Sequence, residues 1–326
     1  SIPCEGCPGY ALRPVTTAAD FVGRDLITVG DFSREEILFV LEAADKFEDF
    51  TGTLLAGRVV ATLFFEPSTR TRLSFESAVG RLGGCFVGFA EAGISSSAKG
   101  ESLADTVQVV EGYADAICMR HPQEGAARLA AEFTDAPVIN CGDGAHQHPT
   151  QTLVDLYTMK RECGKLEGLH VVFAGDLRYG RAVHSLVSVL TRFDARITLV
   201  SPNFLRLPAE HREQLKHKGV QFAEMTAIED ALPDADVLYM TRIQRERFSD
   251  PMEYEKFKDA YRLEMKTLEN ARPELVILHP LPRVNEIARE VDAHPHAAYF
   301  RQAHYGVAVR KALLALVMGR ANEVLG

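Results

Sequence analysis

VVATLFFEPSTRTRLSFESAV, residues 59–79, is the stretch on whose reading the fold turns. Val59 to Phe65 is an almost unbroken apolar run, the pattern of a strand buried on both faces of a parallel sheet. Glu66-Pro67 turns the chain, and Ser68 to Arg72 enter a helix that continues through Leu73, Phe75, Ala78 and Val79. A buried strand feeding directly into a helix is the first half of a βαβ unit.

The same alternation extends outward from this stretch. Upstream, Ser33 and Glu36 form a capping box for a helix whose apolar face is Ile37, Leu38, Leu41 and Ala44. Downstream, Cys85 to Phe89, Ala116 to Met119 and Val138 to Asn140 read as further buried strands separated by helical segments. Pro149 suits the first turn of a helix running to about Cys163 and closed by Gly164. A second series of strands follows it: His170 to Ala174, Arg196 to Val200, Val220 to Glu224, Val237 to Met240 and Leu275 to Leu278. The expected fold class is α/β, with two open parallel-sheet domains joined by one helix. A chain of 326 residues is long enough for two cores. The amphipathic segment Val307 to Met318 has no strand after it and is expected to pack back on existing structure.

A net charge of -9 argues against nucleic acid or an anionic membrane surface as the main partner, since both select basic faces. The apolar stretches are far shorter than a membrane span and the N-terminus has no signal-peptide pattern, so the expected setting is cytoplasmic. The six cysteines are scattered rather than framed. Four of them lie in or beside strand-like runs, where a buried free thiol is the ordinary occupant. Cys4 and Cys7 form a lone C-x-x-C without the two further ligands that zinc requires.

In open parallel sheets, ligands collect beyond the carboxyl ends of the strands. Ser68 to Arg72 sit there, combining the free N–H groups of a first helical turn, two hydroxyls and an arginine fork, which together suit a phosphate. Arg70 and Arg72 are two residues apart and cannot share a helix face; Arg72 is placed to pair with Glu76. Basic and polar residues follow later strands in the same way: Arg120-His121, His148 with Gln151, Arg178 with Arg181, Arg242 with Gln244, and His279-Pro280-Leu281-Pro282-Arg283. Taken singly, Arg120 or Arg181 is an ordinary ion-pair partner and Lys99 an ordinary loop charge. Their agreement at successive strand ends, in an acidic chain, points to a small substrate carrying several negative charges. Gly175 to Gly180 is only a weak match to a dinucleotide loop, which lowers the case for a nicotinamide-dependent dehydrogenase.

At these residues the chain resembles the carbamoyltransferase family, from about Phe21 to Met318. Ser-Thr-Arg-Thr-Arg followed by Leu-Ser-Phe-Glu is similar to the family's carbamoyl phosphate signature. His279-Pro280-Leu281-Pro282 and Thr241-Arg242-Ile243-Gln244 resemble the aspartate-using branch rather than the ornithine-using one. The resemblance implies a carbamoyl phosphate domain at 21–148, an amino-acid domain at 149–300, a C-terminal helix within 301–326 returning to the first domain, and a flexible tail at 1–20. It implies that Ser68, Thr69, Arg70 and Thr71 hold phosphate, and that Thr71, Arg120 and His148 donate to the carbonyl oxygen. Gln151 and the carbonyls of Pro280 and Leu281 would face the carbamoyl nitrogen, with a cis bond at Leu281-Pro282. Arg181, Arg242 and Gln244 would read the carboxylates of aspartate. Ser95 and Lys99 would arrive from a neighbouring subunit of a homotrimer, although the family's glycine and second lysine are replaced here by Ser97 and Ala98. Glu66, Arg181 and Arg247 would pair across the domains on closure. No cofactor is implied, and the possible partners are a regulatory chain or another enzyme of pyrimidine synthesis. The competing readings are an ornithine-type carbamoyltransferase and a catalytically silent scaffold homologue.

Overall fold

The computed structural model describes residues 17–91, 100–144, 146–243, 252, 254 and 261–326. Helix α1 (Arg34–Phe47) opens with the expected capping box between Ser33 and Glu36, and its Ile37, Leu41 and Ala44 are buried. Four parallel strands follow: β1 (Val59–Phe64), β2 (Cys85–Phe89), β3 (Ala116–His121) and β4 (Val138–Asp143), in spatial order β2-β1-β3-β4. Helices α2 (Thr69–Arg81), α3 (Leu103–Glu111) and α4 (Ala126–Ala131) connect them. Phe64 pairs with Arg120 in the register of β1 against β3, which sets the residues after both strands side by side.

Helix α5 (Pro149–Cys163) has proline in its first turn and ends at Gly164 in the left-handed conformation, φ 72. From Pro149 to Met159 every residue except Gln151 is buried, because the helix is enclosed by structure from both halves. The second sheet is also all parallel, in order β7-β6-β5-β8-β9. Its strands are β5 (His170–Ala174), β6 (Arg196–Val200), β7 (Phe222–Met225), β8 (Val237–Met240) and β9 (Val276–Leu278), with α6 (Arg181–Leu190) and α7 (Ala209–His217) among the connections. Gly175, φ +119, ends β5 so close to β8 that a β-carbon would lie 2.3 Å from the carbonyl oxygen of Thr241. Only a residue without a side chain lets these two strand ends close on each other.

Four expectations need correction. The run Cys85 to Phe89 is not a buried strand: among the described residues β2 is an edge, hydrogen-bonded only to β1, and Phe86 and Val87 are each 46% exposed. Of the four described cysteines, Cys118 and Cys141 are buried, Cys163 is half-buried and Cys85 is exposed. The strict strand–helix alternation also lapses between β7 and β8, where residues 226–236 form turns that tuck in Ile228, Ala231 and Leu232. The long C-terminal helix α8 (Tyr299–Val317), followed only by the short helical turn Asn322–Leu325, is not amphipathic in place. From Ala308 to Val317 it is buried all round, wedged among α1, α2 and α5. Its Lys311 donates to the carbonyls of Glu48 and Phe50 at 3.0 and 2.7 Å, which satisfies the open C-terminal end of α1. Among the described residues, no helix is long and apolar enough to cross a membrane.

Candidate active site

Each sheet has one point where successive connections run off in opposite directions, between β1 and β3 in the first and between β5 and β8 in the second. Crevices form at the carboxyl ends of the strands at such points. Here the two crevices merge into one cleft of about 980 Å³. Glu66 and Ser68 to Thr71 come to it after β1, Arg120 from β3, and His148 and Gln151 from the start of α5. Arg181 opens α6, Arg242 follows β8, and His279 to Pro282 follow β9. Apart from those outside the described residues, the expected site residues therefore all line one cleft. Ser95, Lys99, Gln244 and Arg247 lie outside the described residues.

Three helix N-termini open here, those of α2, α5 and α6, and none has a side-chain cap on its first turn. No acidic residue occupies any of these first turns. Unshielded N–H groups with the positive end of the dipole are the ordinary receptor for an anion. Arg70, on the first turn of α2, forms no ion pair among the described residues. Its guanidinium is held below the usual arginine range by burial, then by the like charges of Arg120 and Arg242. Cations crowded into one cleft are what an incoming polyanion neutralises. Arg72 does point elsewhere and pairs with Glu76 at 3.0 Å.

Glu66 lies between basic residues from both halves of the cleft. It accepts from Arg120 Nε at 2.7 Å and lies 3.7 Å from Arg181 Nη2. Arg181 also donates to the carbonyl of Gly144. Both guanidinium groups pass over Gly142, φ +122, where a β-carbon would sit 3.3 and 3.4 Å from their terminal nitrogens. Glu66 thus lies within ion-pair distance of Arg181, but its shorter bond is to Arg120 in its own half.

His148 is 6% exposed, with Nε2 3.4 Å from the Thr71 hydroxyl. Burial, followed by the charges of Arg181, Arg120 and Arg310, pushes its pKa well below the ordinary histidine value. The imidazole is therefore neutral at pH 7, and its buried Nδ1 has no hydrogen-bond partner among the described residues. A polar atom left so is placed for a ligand or a water. After β9, His279 Nδ1 accepts from the Leu281 N–H at 2.7 Å while Nε2 bonds Glu286 at 2.7 Å. This pins the turn at Leu281, whose φ is 56 and whose bond to Pro282 is cis, as expected. The loop after β5 is no dinucleotide cradle. The Asp176 carboxylate accepts the N–H groups of Arg178 and Tyr179 at 3.1 and 3.0 Å, occupying the donors a phosphate would need.

Three residues not anticipated from the sequence belong to this region: Asp155, Gln302 and Arg310. Asp155 is fully buried under the cleft, and Gln302 and Arg310 line it from α8. Arg310 is 3% exposed and lies 5.2 Å from the centre of the Phe75 ring; burial brings its pKa down to about 10. The available signal was weak: charged and amide residues inside helices whose neighbours are otherwise apolar.

Comparison with known proteins agrees with this geometry. Residues 24–161 match the family described as aspartate/ornithine carbamoyltransferase, carbamoyl-P binding domain, and residues 167–317 match the Asp/Orn binding domain of the same family. The aspartate carbamoyltransferase catalytic subunit of Thermococcus onnurineus is 55% identical over 305 residues, 92% of this chain and 98% of that one. The catalytic subunit of M. jannaschii aspartate transcarbamoylase superposes with a TM-score of 0.84 at 51% identity, covering 89% of this chain and 96% of that one. The Trypanosoma cruzi aspartate transcarbamoylase, solved with carbamoyl aspartate and phosphate, superposes at 0.86 with 37% identity over 95% of this chain and 100% of that one. The chain belongs to the aspartate/ornithine carbamoyltransferase family, and within it to the aspartate carbamoyltransferase catalytic chains.

Proposed function

We propose that the cleft transfers the carbamoyl group of carbamoyl phosphate to the α-amine of L-aspartate, giving N-carbamoyl-L-aspartate and phosphate for pyrimidine synthesis. The observation that carries this reading is the convergence of Arg70, Arg120, Arg181 and Arg242, from both sheets, on one cleft in a chain of net charge -9. The two substrates together bring a phosphate and two carboxylates.

In this reading Ser68, Thr69, Arg70 and Thr71 hold the phosphate at the start of α2, and Arg70 neutralises the leaving oxygen. The amine attacks the carbonyl carbon, the C=O electrons move onto oxygen, and Thr71, Arg120 and neutral His148 stabilise that oxyanion. Collapse of the tetrahedral intermediate breaks the bond to the phosphate oxygen, and the amine's proton leaves with phosphate. No covalent intermediate on the protein is needed; positioning and charge suffice. Gln151 and the carbonyls of Pro280 and Leu281 accept from the carbamoyl –NH₂. Arg181, Arg242 and Gln244 bind the aspartate carboxylates, and Glu66 and Arg247 bring the halves together around both substrates. The division at 148/149 and the return of the C-terminal helix belong to the same reading.

An amine assay tests it. With carbamoyl phosphate supplied, phosphate release is expected to be fast with aspartate and slow with ornithine, whose side-chain ammonium would meet Arg242. Faster turnover with ornithine would move the chain to the other branch of the family.

The reading includes a homotrimer in which Ser95 and Lys99 complete a neighbour's site. It is supported by the exposed edge strand β2, whose Phe86 and Val87 lie open along a sheet edge that another copy of the chain would cover. Mixing Arg70→Ala with Lys99→Ala chains is expected to restore activity, up to about a quarter of normal if one site in four of the shared kind assembles intact. No recovery after demonstrated subunit exchange would exclude shared sites. Four free cysteines among the described residues suit a reducing, cytoplasmic setting.

A further inference from the structure

Gln151 and Asp155 are one turn apart on α5 and face the same way. Asp155 is fully buried, and three donors meet on its carboxylate. Gln151 Nε2 and Gln302 Nε2 both donate to Oδ1 at 2.7 Å, and the Tyr239 hydroxyl donates to Oδ2 at 2.9 Å. Gln302 in turn accepts the His279 N–H at 2.9 Å through its own oxygen. One carboxylate thereby connects α5, α8, β8 and the turn after β9.

Burial lifts the Asp155 carboxyl to about 7 against the lowering pull of its three donors, and the ionised form that those donors favour can only accept, whereas a primary amide has one donating and one accepting end. Anchoring the –NH₂ of Gln151 on Asp155 leaves its oxygen as the end available to the cleft. The carbamoyl –NH₂ can only donate. A Gln151 turned the other way would set donor against donor.

Building on the function proposed above, we infer that Asp155 is a positioning residue: it fixes the polarity of Gln151 and, through Gln302, the placement of the Pro280 and Leu281 carbonyls, so that the cleft distinguishes a carbamoyl –NH₂ from a methyl group. Asp155 acts at a distance from the reacting atoms and touches no substrate.

Acetyl phosphate, which carries a methyl where carbamoyl phosphate carries –NH₂, is the probe. Dissociation constants for the two are measured calorimetrically on the full chain and on Asp155→Ala and Asp155→Asn. A site that hydrogen-bonds an N–H group discriminates against the analogue lacking it, so the alanine variant is expected to lose about tenfold in its preference for carbamoyl phosphate while its affinity for acetyl phosphate hardly changes. Asp155→Asn retains an accepting oxygen for both glutamines and should keep most of the preference. An equal loss for both ligands would mean that Asp155 is only structural and would overturn the inference. Should the alanine variant not fold, the ratio is read in Gln302→Met, where a shift of about threefold in the same direction is expected and an unchanged ratio overturns the inference. Failure of the unmodified chain to transfer the carbamoyl group removes the proposed function and this inference with it. Transfer with an unchanged ratio in the variants removes the inference alone.

Discussion

Arg70→Ala is expected to lower kcat by about 10²–10³-fold while leaving the melting temperature within a few degrees of the unmodified chain. The size follows from the electrostatics. Arg70 stands at the uncapped start of α2, without a carboxylate partner among the described residues and already disfavoured by burial and by the neighbouring charges of Arg120 and Arg242. A guanidinium maintained under that strain gives back most when negative charge develops beside it, as it does on the oxygen that leaves with phosphate. In the proposed reaction the ground-state phosphate would retain the N–H groups of α2, Ser68, Thr69 and Thr71, so the loss should fall more on kcat than on carbamoyl phosphate binding. The fold should survive because, among the described residues, the Arg70 side chain makes no hydrogen bond that anchors another element. Arg72→Ala is the internal control: its contact is an ordinary helix pair with Glu76, so kcat should change little. A variant at Arg70 that keeps kcat within tenfold would move the leaving-group role elsewhere in the cleft.

The parts of this fold that could be read from sequence are those where burial is two-sided. β1, β3, β4, β5 and β8 are buried along nearly their whole length, so each is written as an apolar run. The site followed from them, because a parallel sheet delivers whatever residues come after its strands to one edge. Phe86 and Val87 misled for a related reason: an apolar edge strand has the same composition as a central one, and only pairing tells them apart. Asp155 and Arg310 were missed because a polar residue within a helix is ordinarily solvated. Their burial arises only when α5 and α8 are enclosed between the halves, a tertiary fact without a local pattern. The distinction between Arg70 and Arg72 was legible, since helical spacing alone separates their faces.

Arg242→Ala should raise the KM for aspartate by about 30- to 150-fold, equivalent to the ~2–3 kcal/mol of a hydrogen-bonded charge pair, and leave the KM for carbamoyl phosphate within about threefold. Arg242 follows β8, on the second sheet, and its neighbour Thr241 is held to the end of β5 through a backbone N–H to the Ala174 carbonyl at 2.8 Å and a hydroxyl to the same carbonyl at 3.2 Å. The guanidinium is therefore carried on a strand end of the second sheet, apart from the turn at Ser68 to Thr71. Its charge is nonetheless felt at Arg70, so its removal relaxes some repulsion there while subtracting a little long-range attraction for phosphate. These opposed effects are why the carbamoyl phosphate KM should move so little. Arg242→Lys should recover only part of the loss, since an ammonium supplies charge but not the planar fork that fixes a carboxylate's direction. Equal weakening of both substrates by the alanine variant would instead mean that Arg242 maintains the general potential of the cleft, and the reading of aspartate specificity would then have to rest on Arg181 and Gln244.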